Sequence, residues 1–261
     1  MKILLFDIET APSIAYMWSL WSEIKSTTFL IEDWYILCWS AKWLGEKKIF
    51  KSALPDFSKG YKKDPRDDCN VVRALWDLLD EADVVIAHNG IKYDKKRVNT
   101  RFITHGMTPP SPYKMIDTLR LARNQFAFTS NRLDDLGTFL GLGRKVDTGG
   151  FQLWKDCLAG KKQAWNKMVK YCQRDVTLLE QIYLRMRPFM LRHPNLSIRT
   201  IAGGKECCPK CSSINLVNKG FCYTATTKYQ RFKCKNCGGW GRRNKNLLDK
   251  NDKGNITKNI V

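Results

Sequence analysis

The feature that most constrains this chain is a pair of acids set into an apolar strand near its start. Ile3-Leu4-Leu5-Phe6 is a short apolar run, and it passes directly into Asp7-Ile8-Glu9-Thr10. A run of this length and composition reads as a buried β-strand. Side chains two residues apart on a strand share a face, so Asp7 and Glu9 project side by side. An unpaired charge is costly to bury. Either water surrounds these acids at a solvated strand end, or a cation lies between them. Mg²⁺ and Mn²⁺, which take hard oxygen ligands, are the natural cations for such a pair. On this stretch alone both readings stand.

The following segments surround that strand with an α/β framework. Trp34 to Trp43 is rich in large apolar residues and reads as a second strand, turned at Leu44-Gly45-Glu46 and returned by Lys48 to Lys51 as a hairpin partner. Lys59 to Asp68 is polar and basic and reads as a loop. Asn70 to Asp80 carries Val71, Leu75, Leu78 and Leu79 at helical spacing. Asp83 to His88 is a buried strand ended by the Asn89-Gly90 turn. Helices are predicted over Tyr93–His105, over Leu133–Leu140 with Ser130 or Asn131 as cap and Gly141 as stop, over Phe151–Leu158 and over Gln163–Met190. Strands followed by helix–strand–helix and then helices predict a mixed sheet with helices on its faces.

Near Ile201-Ala202-Gly203-Gly204 the composition shifts to Gly, Cys, Lys and aromatic residues. The expected domains are therefore 1–198, 199–243 and a flexible basic tail over 244–261. Six of the ten cysteines lie between Cys207 and Cys237. Cys208-x-x-Cys211 and Cys234-x-x-Cys237 are two knuckles separated by 22 residues, the spacing of a closed four-cysteine structural Zn²⁺ site. Cys207 is an alternative to Cys208, which alone keeps the two-residue spacing with a following proline. Cys222 reads as a strand residue. The module resembles a zinc ribbon, too small to fold on a core alone, so metal would supply much of its folding energy. Tyr223, Tyr229, Phe232 and Trp240 are interleaved with Lys and Arg, which suits a nucleic-acid grip; a protein-interaction module is the competing reading.

Charge narrows the partner. Lys and Arg total 45 against 25 Asp and Glu, a formal net charge of +20, more than solubility requires and suited to a polyanion. No basic amphipathic helix with a clean apolar face argues for a membrane surface. The N-terminal apolar run is too short for a signal peptide and nothing is long enough to span a bilayer, so an intracellular, cytoplasmic protein without a membrane partner is expected.

Two further acidic segments follow the first: Asn89-x-x-x-Tyr93-Asp94 after the central strand, and Tyr171-x-x-x-Asp175 within a helix. Read singly, Asp94 is a helix cap, Asp175 a surface charge and Tyr171 a core tyrosine. Tyr171 and Asp175 are four apart and share a helical face. In this order, over roughly residues 1–190, the three segments resemble the DEDD exonucleases. The Tyr-x-x-x-Asp form matches the DEDDy branch, which includes the proofreading domains of family B DNA polymerases on a ribonuclease H-like fold.

The resemblance implies that Asp7, Glu9, Asp94 and Asp175 hold two Mg²⁺ or Mn²⁺ ions and that Tyr171 orients or deprotonates the attacking water. Asn89 and Thr10 would contact the substrate, and Tyr16, Trp18 and Trp21 would either stack on terminal bases or pack in the core. Asp117, Asp134 and Asp135 are assigned to capping or support, and His105, a competing general base, to structure. The implied activity is 3′–5′ exonuclease cleavage of single-stranded DNA to nucleoside 5′-monophosphates. A 3′–5′ exoribonuclease and an inactive nucleic-acid adaptor are the rivals. With no room for a polymerase, the chain resembles free-standing exonucleases of bacteriophage and bacteria, with roles in DNA replication or repair open.

Overall fold

The computed structural model describes residues 1–19, 26–143, 149–199 and 206–257. Trp21 and the Ile201–Gly204 composition change lie outside the described residues. The chain divides into two compact units, Met1–Tyr183 and Leu184–Val261. Compactness thus changes within the last helix of the first unit, ahead of the shift in composition.

The first unit is built on β1 (Ile3–Thr10), the middle strand of a five-stranded sheet. β2 (Ile14–Ala15) and β3 (Leu30–Glu32) form a separate two-stranded pair. β4 (Ile36–Trp43) runs antiparallel to β1, with Asp7 opposite Ser40 and Glu9 opposite Cys38, and β5 (Ile49–Ala53) runs antiparallel to β4. This is the expected meander. On the other side of β1 the pairing changes hand: β6 (Val84–Ala87) and β7 (Lys114–Asp117) are parallel, giving the order β5-β4-β1-β6-β7. Val84 to Ala87 are all buried, as an apolar strand covered on both faces should be.

The helices are α1 (Ser58–Lys63), α2 (Cys69–Asp80), α3 (Asp94–Thr104), α4 (Thr118–Gln125), α5 (Leu133–Phe139), α6 (Gln152–Leu158) and α7 (Lys162–Met186). α2 buries Val71, Val72, Leu75 and Leu79 and packs on the face of the sheet that carries Trp39, whose indole N–H donates to the Val71 carbonyl at 2.7 Å. α7 covers the other face. Its stripe of Trp165, Met168, Cys172, Val176, Leu179 and Tyr183 is buried, and the three- and four-residue spacing is that of an amphipathic helix. Lys42 of β4 pairs with Glu180 of α7, and the Glu180 carboxylate also accepts from the Gly45 amide at 2.8 Å. α7 stops at Met186, short of the expected Met190, because Pro188 has no amide to continue the ladder; a 3₁₀ turn follows over Arg187–Phe189.

The loop expected over Lys59–Asp68 contains α1 and ends in a fully buried acid. Asp68 accepts from the Ile36 amide at 2.8 Å, from Arg101 Nε at 2.8 Å and from His105 Nε2 at 2.6 Å. One carboxylate thereby joins β4, α2 and α3, and His105 serves that knot.

The second unit is a three-stranded antiparallel sheet of β8 (Leu216–Tyr223), β9 (Lys228–Cys234) and β10 (Trp240–Asn246). Its interior is small: among the described residues Met186, Met190, Leu196, Cys207, Cys208, Phe232 and Cys234 are its buried hydrophobic side chains. Phe232 lies so close to Gly241 that a Cβ there would fall 2.4 Å from the ring. In the segment read as a tail, Asp249 caps α8 (Lys250–Gly254).

Candidate active site and metal centres

β1 changes character half-way along. Leu4, Phe6 and Ile8 are buried on the α2 face, while on the α7 face buried Leu5 is followed by the half-exposed Asp7 and Glu9. α7 is pressed against this stretch. The Cys172 thiol lies 3.5 Å from the Asp7 carbonyl and 3.8 Å from its carboxylate, and burial pushes that thiol well above its ordinary range. One turn later α7 delivers Asp175, 1% exposed. Asp7, Glu9 and Asp175 each present a carboxylate oxygen within 4.8 Å of the other two. Three hard oxygen donors this close could hold a divalent cation, which would offset their mutual repulsion.

Asp94 lies outside that trio. It is the first residue of α3 and is 3% exposed. Burial, with the charge of Asp117 adding to it, pushes its carboxyl up to about 7, against hydrogen bonds from its own amide and from Ile8 and the attraction of Arg97. The Ile8 amide is available because parallel pairing of β1 with β6 ends at Leu5 and Ile86.

Tyr171 stands one turn before Asp175, partly buried, its ring edge-on to Trp154 at 6.4 Å. The Thr10 hydroxyl is hydrogen-bonded to the Tyr93 hydroxyl at 3.0 Å. The Tyr93 ring and that of Trp34 flank the Arg97 guanidinium, at 4.6 and 4.3 Å. Asn89 has φ of 66°, a left-handed turn that asparagine tolerates. Asp117 holds that turn, accepting from the Asn89 amide at 3.0 Å and the Ile91 amide at 3.2 Å while capping α4. Asp135 accepts from Ser130 at 2.5 Å. Tyr16 and Trp18 are exposed, at 72% and 92%, which removes the core-packing reading for both.

A family model of the RNase H superfamily matches residues 43–187, more than half of the chain. The chain belongs to the RNase H superfamily. The mixed five-stranded sheet flanked by helices agrees with that assignment, and membership places the chain among nucleases. A family B DNA polymerase from the hyperthermophilic archaeon Pyrobaculum calidifontis has a similar fold: TM-score 0.50 and 14% identity, over 71% of this chain and 25% of that one. This chain thus spans about a quarter of the polymerase's length. Comparison with curated protein sequences gives no significant match. No helix among the described residues is long and apolar enough to cross a membrane.

The sequence reading of this RNase H superfamily chain missed two cations. Asp7, His88, Asn89 and Asn131 line a cleft together with Arg123, from the last turn of α4, and Arg132, which precedes α5. His88 fixes the cleft wall, its Nδ1 at 2.9 Å from the Thr118 hydroxyl and its Nε2 at 2.9 Å from the Asn131 carbonyl. The two arginines share this cleft with Asp7 only through tertiary folding, and no local motif announces them.

In the second unit Cys208, Cys211, Cys234 and Cys237 place their sulfurs within 4.8 Å of one another. Cys208 and Cys237 are 3.7 Å apart, as are Cys211 and Cys234. Four sulfurs at ~2.3 Å from a tetrahedral zinc lie about 3.8 Å apart, so the set fits that ion. The two knuckles match in detail. Ser212 and Gly238, each four residues after a knuckle's first cysteine, have φ of 59° and 75°. Their amides donate to the carbonyls of Cys208 and Cys234, at 2.8 and 2.9 Å. The Cys207 thiol instead faces the Ser197 carbonyl at 4.0 Å.

Proposed function

We propose that the chain is a metal-dependent 3′–5′ exonuclease of DEDDy type that acts on single-stranded DNA and releases nucleoside 5′-monophosphates. The observation that carries the reading is the convergence of Asp7, Glu9 and Asp175 within 4.8 Å, from two segments 165 or more residues apart. That the archaeal protein of similar fold is a DNA polymerase favours DNA over RNA as substrate.

Asp7, Glu9, Asp94 and Asp175 would hold two Mg²⁺ or Mn²⁺ ions. Such ions supply charge neutralisation at the scissile phosphate and acidify the attacking water. The chain's own groups do the rest. Tyr171 orients the water and takes part in its deprotonation, as a phenol fixed one helical turn from an acid can. Asp94, about half protonated at pH 7 when no cation is present, would give up the remaining proton as the site fills. Arg123 and Arg132 hold the strand's phosphates in the Asp7 cleft, while Asn89 and Thr10 contact the terminal nucleotide. In the second unit a structural Zn²⁺ at the four cysteines fixes a zinc ribbon.

The test is a timed digestion of a 5′-labelled single strand with Mg²⁺ or Mn²⁺, beside the Asp7→Ala/Glu9→Ala double variant and a matching RNA strand. A ladder shortening from the 3′ end, absent in the variant, is expected for DNA. Preferential shortening of RNA would assign the exoribonuclease, and tight binding without cleavage of either strand would leave the adaptor.

A further inference from the structure

β9 divides the aromatic and basic residues of the second unit between two faces. Tyr229, Arg231 and Lys233 point one way; Lys228, Gln230, Phe232 and Cys234 point the other. Register extends the division. Trp240 is paired with Lys233 and Arg242 with Arg231, so both join the first face, whereas Tyr223 is paired with Lys228 and Phe221 with Gln230. Of the four aromatics read as a grip, Phe232 is buried and Tyr223 is on the opposite side.

The first face is distinctive. Arg231, Lys233, Trp240 and Arg242 are exposed. The Arg231 guanidinium lies 5.0 Å and the Lys233 amine 5.9 Å from the Trp240 ring, and Arg242 stacks on Tyr229 at 3.8 Å. Arg231 and Arg242 are directly opposed across the ladder, an arrangement that disfavours an isolated sheet and that an anion between them would relieve. No acid occurs between Glu206 and Asp249. Glu206 is held by Arg243, which also donates to Asn218 Oδ1 at 3.1 Å; Asn218 is paired with Phe232, so this ion pair lies on the other side. Lys233, opposite Trp240, is four residues from Tyr229, which sets the two ring platforms roughly 13 Å apart along the strands.

We propose that the Tyr229–Arg231–Lys233–Trp240–Arg242 face binds single-stranded nucleic acid, with bases stacked on Trp240 and on the Tyr229–Arg242 pair and phosphates held by the three cations. Stacking of this kind needs unpaired bases, so the face selects single strands over duplex. It does not depend on the nuclease reading, because binding is measured where nothing is cut.

The experiment uses the full chain carrying Asp7→Ala/Glu9→Ala, in magnesium-free buffer, with a fluorescent oligothymidylate followed by anisotropy. Trp240→Ala should weaken binding about 5- to 100-fold. Arg231→Gln with Arg242→Gln should weaken it and reduce the slope of log affinity against log salt by about 1.4. Tyr223→Ala with Lys228→Gln, on the opposite face, should leave the affinity within twofold, and a blunt duplex should bind less tightly than the single strand. Should Trp240→Ala lose its fold by circular dichroism, the two exposed arginines decide. Equal losses from both faces, duplex bound as tightly as single strand, or no measurable binding would each overturn the assignment. None of these results bears on whether the acids cleave.

Discussion

Neutralising one acid of the cluster should stabilise the metal-free protein while abolishing cleavage. Asp7, Glu9 and Asp175 approach within 4.8 Å of one another. A pair of unit charges at that distance repels by about 1 kcal/mol in water and about 3.5 kcal/mol at an effective dielectric constant near 20. Asp7 is half-exposed, so the lower part of that range applies. Asp7→Asn removes two such pairs and keeps the side chain's shape, for a gain of about 2–3 kcal/mol. For a unit of this size that raises the melting temperature by about 4–12 °C. The assay is a thermal melt of the first unit in two buffers. Without divalent ions the variant should melt above the unsubstituted protein. With millimolar Mg²⁺ the order should reverse, because the intact carboxylate set gains binding free energy that the variant lacks. A variant that melts lower than the unsubstituted protein in the ion-free buffer would refute the reasoning, since the acids would then be stabilised within the chain and not frustrated.

Other perturbations separate the roles of the remaining groups. Asp68→Ala leaves Arg101 and the Ile36 amide without their buried acceptor and should cost about 3–5 kcal/mol in urea melts, with activity per folded molecule retained; a loss under 1 kcal/mol would remove the knot from the account. Chelation of the four-cysteine site, or Cys211→Ser with Cys234→Ser, should unfold residues 206–246 and leave the melt of Met1–Tyr183 in place, as limited proteolysis would report; protease resistance unchanged after chelation would count against a structural ion. His193 is driven down to about 4 by burial, with Arg187 and Lys210 adding to it. A histidine held neutral binds fewer protons when folded than when unfolded, so its contribution is complete above pH 6.5 and is lost as pH falls toward 4. Denaturant melts of the second unit should show that loss, and His193→Gln should reduce it; identical pH profiles would exclude the residue.

What could be read from the sequence was what has local periodicity or fixed spacing. The strand β1 and its two same-face acids, the α7 stripe from Trp165 to Tyr183, and the two Cys-x-x-Cys knuckles all repeat within a few residues, and each is found in the structure. What was missed depends on distant partners. β7 is four residues long with only Met115 and Ile116 apolar, too short for a period to show, and α4, which buries Thr118, Leu121 and Ala122 on one face, is only about two turns long and follows it without a break at Asp117. Asp68 sits in a polar stretch that resembles a surface loop, and its burial rests on partners more than 30 residues away in the sequence: the Ile36 amide, Arg101 and His105. Arg123 and Arg132 are ordinary helix-end cations until folding brings them to the cleft that Asp7 also lines. The aromatic set of the second unit was legible as composition, but its division between two faces required the register of β9 against β8 and β10.

The position of the acids follows from the change of hand in the sheet. β1 alone has an antiparallel neighbour on one side and a parallel neighbour on the other. Its parallel ladder stops at Leu5, and its antiparallel ladder is irregular between Glu9 and Thr10. Backbone donors in that stretch must be satisfied by something other than a strand, and the Ile8 amide finds the carboxylate of Asp94. The seam therefore gathers acids at the end of a strand that begins in the core. The chain around it carries a net charge of +20, which attracts a polyanion, yet the acid cluster itself repels one. Under the proposed function, holding a strand and cutting it make opposite electrostatic demands, which would fall to different residues: arginines and aromatic rings for the first, carboxylates with their cations for the second. Loss of the acids should for that reason abolish cleavage while leaving affinity equal or greater.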